Sequence, residues 1–183
     1  MSDSIWTDTL EQFRNRIASI EPVPAGVTAA AVSGTLALAL LAKVLQVTRN
    51  RRDFAGDGDL LGRLLEEARN TFQKLSHLAD DDVTVYHEYL DGLRRKHPTD
   101  AAIRKTIDVP LNVARTAWFG MSLCEEAAGH VHKVVAPDLG IAAGLLAGVV
   151  RSTLVTVNSN IQQLPEDDPY RMETAAEASR LSI

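Results

Sequence analysis

Cysteine, aromatic residues and alternating β-branched runs are all scarce in this chain. The single cysteine, Cys124, excludes an intramolecular disulfide and fits a reducing compartment. Aromatic residues make up 5% of the 183 residues, so alanine and leucine must fill the core, which favours close helix packing over a sheet sandwich. Strand-like alternation is essentially missing. Excess positive charge is missing too: the net charge of −5 argues against a general nucleic-acid binder. The opening Met1, Ser2, Asp3 and Ser4 lack the basic-then-apolar pattern of a secretion signal, so a cytoplasmic location is the expectation. Long hydrophobic runs also fall short, because a spanning helix needs roughly 20 apolar residues. The uncharged run 27–41 is interrupted by Ser33, Gly34 and Thr35, and the run 139–150 stops at Arg151. Both are expected to lie in a protein core or an oligomer interface rather than in a membrane.

What is present is helical periodicity over most of the length. Ile5, Trp6, Leu10, Phe13, Ile17 and Ile20 form a stripe of spacing three and four, which predicts a helix over 5–20. Pro22 and Pro24 break it, and Thr28 then offers a cap for an alanine-rich helix to about 48. A helix this uniformly apolar is expected to be buried on every side. Leu60, Leu61, Leu64, Leu65, Ala68, Phe72, Leu75 and Leu78 mark one face of a third helix that continues through Asp80, Asp81 and Asp82 until Lys96, His97 and Pro98. A fourth helix is expected over 99–131 with a break or kink at Pro110, and a fifth over 137–162. Residues 164–183 read as an acidic linker followed by a short tail helix. The fold class is therefore all-α: one domain over 1–183, built as a bundle of five to six helices.

Several positions carry chemical potential. Three successive aspartates fan over most of a helix circumference, which sets Asp82 beside the apolar stripe. A partly desolvated carboxylate there has the raised pKa that a general acid or base requires; the competing reading is a polar interruption on an exposed face. Residues 22–28 lead into a helix N-terminus whose free N–H groups can hold an anion or a carbonyl oxygen, with Gly26 permitting close approach; an ordinary turn has the same pattern. Asp138 follows Pro137 where the fifth helix starts, so N-capping is its leading structural role. Asn160 lies among apolar residues and needs hydrogen-bond partners. Arg51 and Arg52 belong to a basic cluster that complements a helix C-terminus or forms a local anion site. His130 and His132, with Cys124, Glu125 and Glu126 upstream, complete no zinc signature, so no metal is expected.

The order of these features resembles the formiminotetrahydrofolate cyclodeaminase and methenyltetrahydrofolate cyclohydrolase family. That family has a Pro-x-Pro-Gly-Gly-Gly-Ser entry into an alanine-rich helix, matched here from Pro22 through Pro24, Ala25, Gly26 and Val27 to Thr28. It has Asp-Glu-Asp with an aromatic four residues on, matched by Asp80, Asp81, Asp82 and Tyr86. Its Val-Pro-Leu segment falls at Val109, Pro110 and Leu111, its Ser-Asp-Ala-Gly at Pro137, Asp138, Leu139 and Gly140, and its later Arg and Asn at Arg151 and Asn160. The resemblance implies a helical homodimer with a cleft for a reduced folate or related pterin, which is substrate, with no further cofactor. It implies catalysis by Asp82 with Asp138 as second cleft carboxylate. It further implies substrate binding by Pro24, Gly26, Thr28, Tyr86 and Asn160, and pairing of Arg51 or Arg52 with the folate's glutamate tail. The reaction would be hydrolysis of a methenyl bridge or cyclisation of a formimino group. Departures at Ala25, Val27 and 129–137 leave a second expectation beside it, a non-catalytic relative that binds a ligand or a protein.

Overall fold

The computed structural model describes residues 4–95 and 99–182. After a 3-10 turn at Ile5–Thr7, the helices are α1 (Leu10–Ile17), α2 (Gly26–Arg49), α3 (Gly58–Arg94), α4 (Asp100–Ala127), α5 (Ala136–Asn160) and α6 (Pro169–Leu181), with a second 3-10 turn at Ile161–Gln163. No strand occurs among the described residues. The all-α expectation holds.

Helices α2 to α5 form an up-down-up-down bundle in which each packs against its chain neighbour and α5 closes onto α2. The direction of each follows from its contacts. Thr28 at the start of α2 meets Asp82 late in α3, and Lys43 late in α2 meets Asp138 early in α5. Small residues set the spacing: a Cβ on Gly34 would lie 2.7 Å from Leu75 Cδ1, and one on Gly120 2.9 Å from Leu38 Cδ2. A side chain at either crossing would force a core leucine methyl to move aside. Leu38, Leu41, Leu45, Leu61, Leu64, Leu75, Ile107 and Leu146 fill the centre.

Local chemistry accounts for the helix ends, with differences from expectation. The stripe over 5–20 does not make one helix, because Thr9 forms a capping box with Gln12 and starts α1 afresh; Leu10 and Ile20 are left exposed. Thr28 does not cap α2, whose cap residue is Ala25 without a side-chain bond. Asp138 does not cap α5: the helix starts at Ala136, which puts Asp138 in its first turn, where a carboxylate complements the helix dipole. Asp57 caps α3 and Thr99 caps α4 through side-chain oxygens. The expected stop at Lys96, His97 and Pro98 lies outside the described residues. Pro110 sits inside a continuous α4. It lacks the N–H that would close on the carbonyl four residues back, leaving Thr106 O without its helical donor.

Polar contacts tie tail helix α6 to α4, and Ala178 joins the core. Tyr170 Oη donates to Asp108 at 2.7 Å, Arg104 lies 4.6 Å over the Tyr170 ring and pairs with Asp168, and Arg115 pairs with Glu177.

Candidate functional site

At the end of the bundle where α2 begins and α5 finishes lies a cavity of about 270 Å³. The 22–27 segment forms one wall, α3 supplies Asp82, Val85 and Tyr86, α4 supplies Thr106, and α5 supplies Thr156 and Asn160. The three aspartates of α3 fan out as their spacing requires, and each does something different. Asp80 accepts from Ser4 Oγ at 2.7 Å and from the Ile5 N–H at 3.0 Å, tying the N-terminal segment to α3. Asp81 is exposed. Asp82 turns into the cavity.

Asp82 Oδ2 accepts a 2.6 Å hydrogen bond from the Thr28 hydroxyl, and the Thr28 backbone N–H favours the charged carboxylate as well. Burial raises the Asp82 pKa above the ordinary aspartate value, and the Thr28 hydroxyl and backbone N–H pull partly the other way. Burial wins because desolvation acts on the whole charged group. The first N–H groups of α2 have no intrahelical acceptor, and α2 starts without a side-chain cap. Those of Gly26 and Val27 therefore lie at the cavity wall as donors. A Cβ on Gly26 would meet nothing within 4 Å, because its missing side chain is open cavity.

Asn160 is oriented by the proline in α4. Its Nδ2 donates to Thr106 O at 2.8 Å, the carbonyl that Pro110 cannot satisfy. A carbonyl oxygen only accepts, so this contact fixes which end of the amide is nitrogen. Tyr86 forms a half-exposed aromatic wall, its ring 6.0 Å from that of Tyr89, and Tyr89 Oη donates to Gln163 just beyond α5. The arrangement can bind a flat polar ring and move a proton at Asp82.

Of the residues singled out from sequence, the structure brings together Gly26, Asp82, Tyr86 and Asn160 at the cavity. Thr28 spends its hydroxyl on Asp82. Pro24 is buried within the wall segment, joined to Val23 by a cis peptide bond. Asp138, Arg51 and Arg52 are elsewhere. Asp138 is 22 residues before Asn160 on a continuous helix, about 33 Å away at the helical rise per residue, beside Lys43 at 3.8 Å. It is not a second carboxylate in the Asp82 cavity of the same chain. Arg51 and Arg52 follow the far end of α2, about 35 Å from Gly26, and Arg51 is paired with Asp53 at 2.8 Å. Neither reaches a ligand in the Asp82 cavity of the same chain. The fixed length of α2 and α5 causes the separation.

His130 and His132 line a second cavity of about 250 Å³ at that far end, with Arg51. The His132 N–H donates to Thr48 Oγ1 at 3.0 Å, and its Nδ1 accepts from the Val134 N–H at 3.2 Å. His132 thus braces the turn into α5. No three His, Cys, Asp or Glu side chains among the described residues converge on a metal position. Cys124 is buried and its thiol pKa is pushed up to about 11 by that burial, so it is unreactive. Sequence reading missed Thr106 and Thr156. Thr156 and Asn160 share a helix face at spacing four, a signal that was available.

Comparisons with known proteins agree with this architecture. A family model described as formiminotransferase-cyclodeaminase matches residues 9–180. Methenyltetrahydrofolate cyclohydrolase of Methylorubrum extorquens is 26% identical over 170 residues, covering 87% of this chain and 82% of the relative. Mouse formimidoyltransferase-cyclodeaminase is 24% identical over 97% of this chain, which spans 35% of that longer protein. The crystal structure of formiminotetrahydrofolate cyclodeaminase from Thermotoga maritima superposes with a TM-score of 0.89 at 23% identity, covering 97% of this chain and 89% of that one. The helical bundle, its end cavity and the match over 9–180 together establish that this chain belongs to the formiminotransferase-cyclodeaminase family.

Proposed function

We propose that this protein is a cyclohydrolase of one-carbon metabolism, acting on the methenyl bridge of a reduced folate or related pterin. The observation that carries the reading is Asp82: a carboxylate with a raised pKa, clamped by Thr28 at 2.6 Å and turned into the end cavity. A methenyl bridge is a cationic amidinium carbon between two nitrogens. Water attacks that carbon, one C–N bond breaks, and the products are an N-formyl compound and one proton. Asp82 takes the proton from the attacking water and hands it to the departing nitrogen. Its negative charge also favours the cationic ring before attack. The Asn160 amide and the free N–H groups of Gly26 and Val27 address the polar edge of the pterin, and Tyr86 covers its face. At about 270 Å³ the cavity is near the small end for ligand sites, so it takes the ring system and leaves the rest of the substrate outside.

The test follows loss of methenyl-folate absorbance with purified protein, beside Asp82→Asn. Acceleration over buffer that drops at least about 100-fold in the variant, as removal of a general acid–base group produces, supports the proposal. No acceleration at high protein concentration refutes it. The formimino compound, assayed in parallel by ammonia release, shows whether the same carboxylate serves ring closure.

A further inference from the structure

Threonines inside helices commonly give their hydroxyl back to the helix. Thr35, Thr71, Thr84, Thr106, Thr116 and Thr153 do so, each donating to a carbonyl three or four residues back. Thr84 does it even at an exposed position. Thr156 of α5 departs from this habit. Its hydroxyl has no partner among the described residues, and the residue stands in the wall of the end cavity. One turn on, Asn160 spends Nδ2 on Thr106 O at 2.8 Å, and its Oδ1 is likewise without a partner among the described residues. Every fully buried side-chain nitrogen or oxygen among those residues is paired, so both free oxygens open onto space that a ligand reaches.

We infer that Thr156 determines which ring the cavity accepts: Thr156 Oγ1 and Asn160 Oδ1 bracket the exocyclic amine of a 2-amino-4-oxopyrimidine ring. This rests on the pterin reading of the cavity and adds the residue that tells that ring from its relatives. Residues four apart on a helix are separated by about 6 Å along its axis. An exocyclic amine points its two N–H bonds about 120° apart, so acceptors on either side of it lie about 5 Å from one another. The ring N–H beside the amine runs parallel to the nearer amine N–H. That pair would need acceptors closer than two separate oxygens can approach.

The order of groups round the cavity agrees. Helix α2 packs on both α3 and α5, so it stands between them. With the one-carbon bridge at Asp82 of α3, the ring carbonyl, peri to the bridge nitrogen, falls to the N–H groups of Gly26 and Val27. The amine lies beyond the carbonyl and faces α5. Turning the ring over would set its carbonyl against Asn160 Oδ1, acceptor against acceptor.

Thr156→Val keeps the shape and removes a hydroxyl that bonds nothing in the chain, so the melting temperature should stay unchanged. Ligand-observed NMR titration with 2-amino-4-oxopteridine should show binding about tenfold weaker than wild type, the order of one lost hydrogen bond. Toward 4-oxopteridine, which lacks the amine, variant and wild type should bind alike. Thr156→Ser should restore affinity for the amino ring. Thr153→Val should not alter it, because that hydroxyl is already committed to its own helix. Equal binding of the amino ring by Thr156→Val and wild type, or an equal loss for both rings, would overturn the assignment. So would a lowered melting temperature accompanying the loss, or no binding of the amino ring by wild type at millimolar concentration. The cyclohydrolase reading fails separately. A protein that binds the amino ring through Thr156 but leaves methenyl-folate intact keeps this specificity and loses that reaction. One that hydrolyses methenyl-folate with ring binding unimpaired in Thr156→Val keeps the reaction and loses the role of Thr156.

Discussion

Thr28→Val isolates the bond on which the proposed chemistry most depends. Thr28 is buried, so valine replaces the hydroxyl by a methyl group of nearly the same shape without opening a cavity. The lost interaction is a 2.6 Å hydrogen bond to a carboxylate, and bonds to charged groups are worth about 1.5–3 kcal/mol. The ionised form of Asp82 gains more from it than the neutral acid does, so its loss raises the pKa. At about 1.36 kcal/mol per unit, the further rise is about one to two units. The direction adds to the one burial already imposes. The Thr28 N–H remains, which places the result nearer the lower figure. Carboxyl-carbon NMR titration of aspartate-labelled protein, with Asp82→Asn to identify the resonance, reads this without any substrate. If catalysis runs through ionised Asp82, the acid limb of the pH–rate profile moves up by the same amount. An Asp82 titration unchanged within a few tenths of a unit would refute the idea that Thr28 sets this charge.

Asn160→Asp keeps the shape but sets an acceptor against the Thr106 carbonyl. With Pro110 unable to supply an N–H, that carbonyl loses its partner, and thermal unfolding should report a loss of about 1–3 kcal/mol. Asp82→Asn has a pH-dependent effect on stability with a definite sign. A folded-state pKa above the unfolded value means that the folded protein binds this proton more tightly. Stability therefore declines as pH climbs from the ordinary aspartate value to the raised one and then levels. The variant should gain on wild type across that window and hold the gain at neutral pH, with no gain below it. Urea unfolding at several pH values checks this, and a difference that does not change with pH would contradict it.

The amino-acid sequence by itself determined the helical class and the approximate limits of α2 to α5, because a period of 3.6 and two prolines at 22 and 24 leave little else available. The expectation that α2 is buried on every side fails, since Leu36, Ala39 and Val47 form an exposed stripe that no other element of the chain covers. It also singled out Asp82, since three consecutive aspartates on a helix cannot share one environment. The split of α1 at Thr9 was written in a local capping box that the apolar stripe concealed. What the chain alone could not decide was distance. Asp82 and Asp138 occupy comparable places in a list of motifs, yet α5 is a rigid rod that carries Asp138 and Asn160 to opposite ends of the bundle. Whether Thr28 meets a helix end or a carboxylate depends on how α2 and α3 are aligned. The meaning of Pro110 for Asn160 depends on α4 lying beside α5. Periodicity records which face a residue takes along its own helix; only packing records what the neighbouring helix brings to that face.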